Sequence, residues 1–439
     1  MYELPETKEH PLRRELNDEV HARPPDSLAT PSQITYLTRL PDRSDGERPN
    51  VEVMSKFLAH FDVEPPQTTV KHFAADIDGV RLRWERHTEY SRYTLASNGE
   101  PESPFNETPG DIIPDAWMDE ITGHLLIGVQ AQVIRMDDWR DRLGEVSQKY
   151  FNGNVLIGSI VADDGAVALT DLRIHDDGMS RILLINEAMG EQQTGRVMQR
   201  LLEIETYRMM SLLALPVAQQ LTPILDESEE ELTLIGEALV DAEINQEQAL
   251  LERLTRLSAS TQHRQLSSNY RFAAADAYYE IVLQRIHELR ETRIVGLQTF
   301  EEFTSRRLAP AVKTYRAVSR RQQSILEQMA RATKLLSTRI DIARQRQNQS
   351  LLASMNRRVK TQLRLQATVE GLSVAAVTYY IVGLINLLAK GLVDSGLPVN
   401  PAIVTGVSIP VVATSVYMAV RRLRKKISAE ESEQTGSID

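Results

Sequence analysis

The chain reads as an α+β protein. It has an α/β or α+β part over residues 1–194, a long helical part over 195–366, an apolar two-helix hairpin over 367–426 and a polar tail over 427–439. Three observations predict this. Short alternating runs bounded by Asp-Gly turns crowd the first part. Apolar residues then recur at three- and four-residue steps. Two uncharged runs follow, each reaching the roughly 18 to 20 residues that cross hydrocarbon as a helix.

Within the first part, His10 to Leu28 predicts a short helix broken at Pro24 and Pro25, and Val51 to Phe61 a second. Val80 to Leu95, rich in Trp, Tyr, Arg and Thr, predicts strand or hairpin. Leu125 to Val133, Val155 to Val161, Ala166 to Asp171 and Ser180 to Ile185 predict strands, the last three joined by turns at Asp163-Asp164-Gly165 and Asp176-Asp177-Gly178. Pro101 to Pro114 predicts a loop.

From Gly195 onward the expectation is helix. Val197 to Gln220 carries helical apolar spacing, with Pro216 and Pro223 expected to kink or end it. Asp226 to Glu252 holds ten acidic residues and no basic one. Ala273 to Leu297 predicts another helix. Ala309 to Leu365 is basic, with an apolar seam at Val318, Ile325, Met329, Ala332, Leu336, Ile340, Ala343 and Leu351. Continued to Ala389 it would be roughly 120 Å long at 1.5 Å per residue. The acidic helix 226–252 and the basic stalk 309–365 invite antiparallel pairing, because each alone repels itself.

The apolar spans are about 371–389 and 401–420. Arg357, Arg358, Lys360 and Arg364 precede the first. Arg421, Arg422, Arg424, Lys425 and Lys426 follow the second. The turn between them, Lys390 to Pro401, carries one Lys and one Asp. Cationic flanks stay on the cytoplasmic side, so both termini are expected there, with the lipid bilayer as a partner. Gly371, Ser373, Ala375, Ala376, Gly406, Ser408, Ala413 and Ser415 permit close helix packing. Met1 to Pro11 is polar and lacks the apolar core of a secretory signal.

Composition bounds the chemistry. The formal charge of -11 argues against nucleic acid as a partner. The absence of cysteine removes disulfides, thiolate metal sites and cysteine catalysis. No phosphate-binding loop, HExxH or GxSxG motif is present, so no cofactor is expected. Glu85, His87 and Glu89 alternate on an expected strand. Two carboxylates and an imidazole on one face could hold a divalent metal, or form a sheet face paired with Arg81, Arg83, Arg86 and Arg92. His175, Asp176 and Asp177 read as turn chemistry or, less readily, metal ligands. Glu205 and Arg208, one turn apart on an apolar helix, read as a structural ion pair. His21 and Arg23 could bind an anion or tie the N-terminal helix to the sheet.

His10-Pro11-Leu12-Arg13, Glu19 to Pro24, Trp84 to Glu89, Leu202 to Arg208 and the end of the chain together resemble a bacterial family of predicted membrane-anchored proteins of unknown function. That resemblance implies an inner-membrane anchor and no particular activity. The architecture is also similar to the CorA-type divalent-cation transporters. Their Gly-Met-Asn signature is replaced here by Leu387-Leu388-Ala389-Lys390-Gly391, and a lysine at a pore mouth repels cations. The expected function is a non-enzymatic, membrane-anchored homo-oligomer that faces the cytoplasm and binds, senses or scaffolds a protein partner. The alternative is a CorA-like channel of altered selectivity. A tethered enzyme would need Glu85, His87 and Glu89 to converge in a pocket.

Overall fold

A computed structural model describes residues 10–14, 16–17, 25–41, 49–65, 71–101, 103–114, 117, 123–241, 244–394 and 400–435. Nine strands form one mixed sheet in the order β2-β3-β4-β1-β5-β8-β7-β6-β9. The strands are β1 (Ser32–Leu40), β2 (His72–Ile77), β3 (Val80–Arg86), β4 (Ser91–Asn98), β5 (His124–Ile134), β6 (Ile157–Val161), β7 (Ala166–Thr170), β8 (Ser180–Asn186) and β9 (Thr292–Arg293). Every neighbouring pair is antiparallel except β5 and β8.

The turn between β2 and β3 is Asp78-Gly79. Both residues adopt positive φ, 47° and 80°, the mirror-image turn whose twist matches antiparallel strands. Sequence reading marks β3 and β4 as strand but passes over β1 and β2. The central strand β1 is buried on both faces over much of its length, so it lacks the alternation that marks a half-exposed strand. The irregular segment 25–29 replaces the end of the expected N-terminal helix.

Period-two alternation assigns the two sheet faces. On one face helix α1 (Pro49–His60) buries Val53, Met54, Phe57 and Leu58 against Leu82, Trp84, Tyr93 and Leu95. Helix α2 (Leu143–Phe151) does the same with Val146, Tyr150 and Phe151 against Val167, Leu169, Leu183 and Ile185. Helix α3 (Glu191–Leu212) covers the other face, with the Tyr36 hydroxyl 2.6 Å from that of Thr206.

The remaining helices are α4 (Ala214–Asp241), α5 (Ile244–Leu289), the short α6 (Phe300–Phe303), α7 (Ala309–Asp394) and α8 (Pro401–Thr435). Their boundaries differ from expectation at three places. α4 runs through Pro223 rather than ending there. The acidic stretch 226–252 is divided between α4 and α5. The helix expected over 273–297 is the end of the 46-residue α5, after which Thr292 and Arg293 pair with β6 and cover the sheet edge. Acidic-to-basic pairing does occur: Arg321 of α7 donates to Glu229 of α4, Nε to Oε1 at 2.7 Å, and pairs with Asp226 at 2.6 Å. Val318, Ile325 and Met329 of the expected seam are buried, whereas Leu351 is exposed.

The chain divides into two compact units, Met1–Lys334 and Leu335–Asp439. The second holds the remainder of α7 and all of α8. Two helices are long and apolar enough to cross a membrane, and their most apolar stretches are only 6% and 0% buried. A hairpin sunk in a soluble core would show the reverse.

Gly195 marks a close approach in the first unit. A Cβ there would lie 1.7 Å from the Asp26 carbonyl oxygen. Gly195→Ala is expected to displace residues 26–28 from α3 and destabilise the first unit by about 2 kcal/mol. Gly144→Ala, where a Cβ meets open space, should leave stability unchanged or slightly raised. Urea denaturation of the detergent-solubilised chain, followed by tryptophan fluorescence, reads this unit because Trp84, Trp117 and Trp139 are all buried in it.

Candidate functional site

Alternation along β3 sends Leu82 and Trp84 to the α1 side and Arg83 and Glu85 to the α3 side. Pairing of β3 with β4 sets Glu85 opposite Arg92. Glu85 is 1% exposed and Arg92 5%, so the carboxylate has left water and needs cationic partners. Arg92 supplies a short two-nitrogen contact to Oε2. Arg83 donates to Oε1 at 2.9 Å and reaches Asp26 at 3.3 Å with its other amino group. Burial pushes the Glu85 carboxyl up, but Arg92 and Arg83 outweigh it and hold the group below the usual carboxylate range. Burial pushes the Tyr90 hydroxyl far above its ordinary value.

A cavity of about 50 Å³ lies beside this pair, between charged Asp26, Arg83, Glu85 and Arg92 and apolar Ile34 and Met198. The charged groups on one wall suit one or two ordered waters, each occupying ~30 Å³, while the rest of the lining is mostly apolar. It is smaller than the roughly 300 Å³ of ordinary ligand clefts.

Helices α3 and α5 carry the network outward. Glu203 of α3, buried, accepts from Arg285 of α5 and from Gln199 at 2.7 Å. Glu288 accepts from Arg285 at 3.0 Å and from Arg200 at 3.1 Å. On α3 itself Arg208 donates to both carboxylate oxygens of Glu205, from Nε at 2.9 Å and from one amino group at 2.6 Å.

The expected face of Glu85, His87 and Glu89 does not form. Strand β3 ends at Arg86, and His87 to Tyr90 is the hairpin turn, where side chains no longer alternate. Glu89 points to α5, accepting from Arg271 at 2.9 Å and from the Tyr278 hydroxyl at 2.6 Å. His87 stacks on Tyr90 with ring centroids 4.4 Å apart. Each carboxylate is thus committed to different arginines. No group of three metal-ligating side chains occurs among the described residues. His175 faces Asp171 at 2.9 Å rather than Asp176 or Asp177. His21 and Arg23 lie outside the described residues.

In the second unit Arg357, Arg358, Lys360 and Arg364 are exposed on α7, and Arg421 and Arg422 on α8. Arg424, Lys425 and Lys426 continue α8, with side chains outside the described set. The Thr405 hydroxyl donates to Asn386 at 3.2 Å, joining the two apolar helices.

Sequence reading found Glu85 and its arginine neighbours but missed Arg271, Tyr278 and Arg285. These lie 182 to 189 positions from Glu89 and 82 from Glu203, and no local pattern reaches that far.

Arg92→Met leaves Glu85 buried against Arg83 alone and is expected to cost about 3–5 kcal/mol. The double variant Glu85→Leu/Arg92→Met should be less destabilised than that single. Because the folded Glu85 pKa is depressed from 4.5, its contribution is present above that value and lost as pH falls below it. The stability gap between wild type and Glu85→Gln should therefore shrink on acidification below about pH 4.5. Urea midpoints measured between neutral and acid pH check both expectations.

No curated protein and no solved structure matches the chain. A family pattern described as "Protein of unknown function (DUF3422)" matches residues 8–427, nearly the whole sequence. The chain belongs to this family of unknown function.

Proposed function

We propose that the chain is a cytoplasm-facing protein anchored in a bacterial inner membrane by the α7–α8 hairpin, with both termini inside. It works as a homo-oligomeric binding or scaffolding protein rather than an enzyme. The observation that carries this is the pair of apolar helical stretches whose surface is almost wholly uncovered. Cations crowd their outer ends, and the connecting turn has only one Lys. Retention of positive flanks in the cytoplasm supports this orientation. The sheet unit supports a binding role: its buried charges are paired among themselves, and a separate open pocket of about 320 Å³ is lined by Asp26, Ser27, Asp76, Arg81 and Asn98.

A channel of altered selectivity is the second reading. It would require the first apolar helix to line a pore in an assembly. The hydrogen bond from Thr405 to Asn386 favours the anchor, because it turns that amide toward the second helix.

The absence of cysteine makes topology directly measurable. A membrane-impermeant maleimide should label Asp394→Cys in intact spheroplasts and Ser432→Cys only after lysis. The opposite pattern overturns the orientation, and recovery of the chain in the soluble fraction overturns the anchor. Light scattering in mild detergent, corrected for bound detergent, should give more than one copy. A monomer overturns the oligomer, and a pentamer favours the channel.

A further inference from the structure

Strand β2 ends the sheet on one side, and among the described residues nothing pairs with its outer edge. The two-residue turn after it makes Ile77 and Val80 a hydrogen-bonded pair. Arg86 donates its backbone N–H to the Lys71 carbonyl at 2.7 Å. The odd-numbered residues of β2 are therefore the ones bonded to β3, because bonded pairs alternate along an antiparallel ladder. His72, Ala74 and Asp76 turn their backbone N–H and C=O groups to the open edge instead. The strand keeps one register with β3 along its whole length and holds no proline. Such an edge is a template for another strand.

The edge, His72-Phe73-Ala74-Ala75-Asp76-Ile77, complements itself. Set antiparallel to a second copy with Ala74 facing Ala74, it places His72 opposite Asp76 of the second copy at both ends. Phe73 then faces Ala75. A shift of two residues in either direction removes both His–Asp pairs and shortens the overlap. His72, Ala74 and Asp76 are all exposed. The Asp76 side chain is 71% exposed even though its Oδ2 accepts from Arg81 at 2.8 Å. The small side chain of Ala74 at the axis lets the two backbones approach. On the opposite face Phe73 and Ala75 are partly buried against the core beneath α1, so joining two edges continues that apolar layer from one copy to the next. A peptide of unrelated sequence would gain the backbone bonds without matched charges at both ends.

We infer that two copies of the chain join through β2, antiparallel about Ala74, into one continuous sheet. The inference rests on the homo-oligomeric reading above and names a surface that makes the oligomer. Each facing pair exchanges two backbone hydrogen bonds, about six in all. The His72 imidazole donates to the facing carboxylate, a cross-strand pair that fixes the register.

The test uses the full chain in mild detergent, where the absence of native cysteine leaves introduced thiols as the only ones. Copper-phenanthroline oxidation should link Ala74→Cys to its copy, because facing bonded residues stand about 5.5 Å apart between Cα atoms, within reach of a disulfide. Lys71→Cys should not link, because the same register holds its two thiols roughly 20 Å apart. His72→Cys and Asp76→Cys, coexpressed on chains with different tags, should link to each other and not to themselves. Ala74→Lys sets like charges across the axis and should lower that mixed linkage about five-fold, with tryptophan fluorescence unchanged. Equal linkage at positions 71 and 74 overturns the inference. So does self-linkage of His72→Cys in place of the mixed product, or mixed linkage undiminished by Ala74→Lys. No linkage at Ala74→Cys in a chain that light scattering shows to be oligomeric sinks this inference alone. A monomer by light scattering overturns the homo-oligomeric reading and this surface with it.

Discussion

A carboxylate cannot leave water without partners, and the burial of Glu85 sets the terms for much of the first unit. Its charge lies between the sheet and α3, where desolvation works against ionisation. It stays ionised because strand register places Arg92 opposite and alternation places Arg83 on the same face. Arg83 then reaches Asp26, which brings the segment 25–29 onto α3 at Gly195. Sheet pairing, helix docking and the path of that segment are thereby tied to one anionic group. A one-residue slip of β3 against β4 would expose its apolar set and strand its charges together.

Helix α5 extends that logic over distance. Along one 46-residue helix it presents Arg271 and Tyr278 to the hairpin turn, Arg285 to α3, and Asp276 to α7. Asp276 accepts from the Tyr315 hydroxyl at 2.9 Å and from Arg316 at 2.7 Å. Phe272 stacks on Tyr315 beneath these contacts. Exposed ion pairs of this kind contribute little singly. Here they flank buried rings and aliphatic side chains, so their chief effect is to fix which faces meet.

How far this was legible in sequence depends on how local each cause is. β3 could be read from its alternation, and β6 to β8 because short apolar runs are bounded by the turns at Asp163-Asp164-Gly165 and Asp176-Asp177-Gly178. β1, buried on both faces, has neither alternation nor an abutting Asp-Gly turn to show. The helical region was readable as helix but not in its boundaries, for Pro223 signals a break that packing overrides. The ion pair of Glu205 and Arg208 needs only three residues of separation. The clamp on Glu89 needs Arg271 and Tyr278, and nothing near Glu89 hints at them. Glu85, His87 and Glu89 misled because alternation was carried past the end of the strand into its turn.

The polar atoms of the apolar hairpin bear on which solvent surrounds it. In water an exposed serine or threonine hydroxyl has no need of the helix beneath it. In hydrocarbon each donor must be satisfied within the protein. Ser373 donates to the Val369 carbonyl at 3.0 Å, Thr405 to Pro401 at 2.8 Å, Ser408 to Thr405 at 2.8 Å and Thr414 to Pro410 at 2.7 Å. Thr405 also donates to Asn386 across the hairpin, so the most polar side chain of the first span is met by the second. Hydroxyls in the first unit back-bond in the same way, as Thr255 does to Leu251, so this habit alone does not identify a membrane helix. What differs is the company they keep: on α7 and α8 the inward-turned hydroxyls stand among Leu372, Leu384, Val407 and Val411, each 60% or more exposed. Such a surface is stable against lipid and unstable against water. Thr378 in the first span has no hydrogen-bond partner, so the physical case for the anchor rests on the apolar groups turned outward along the same two helices.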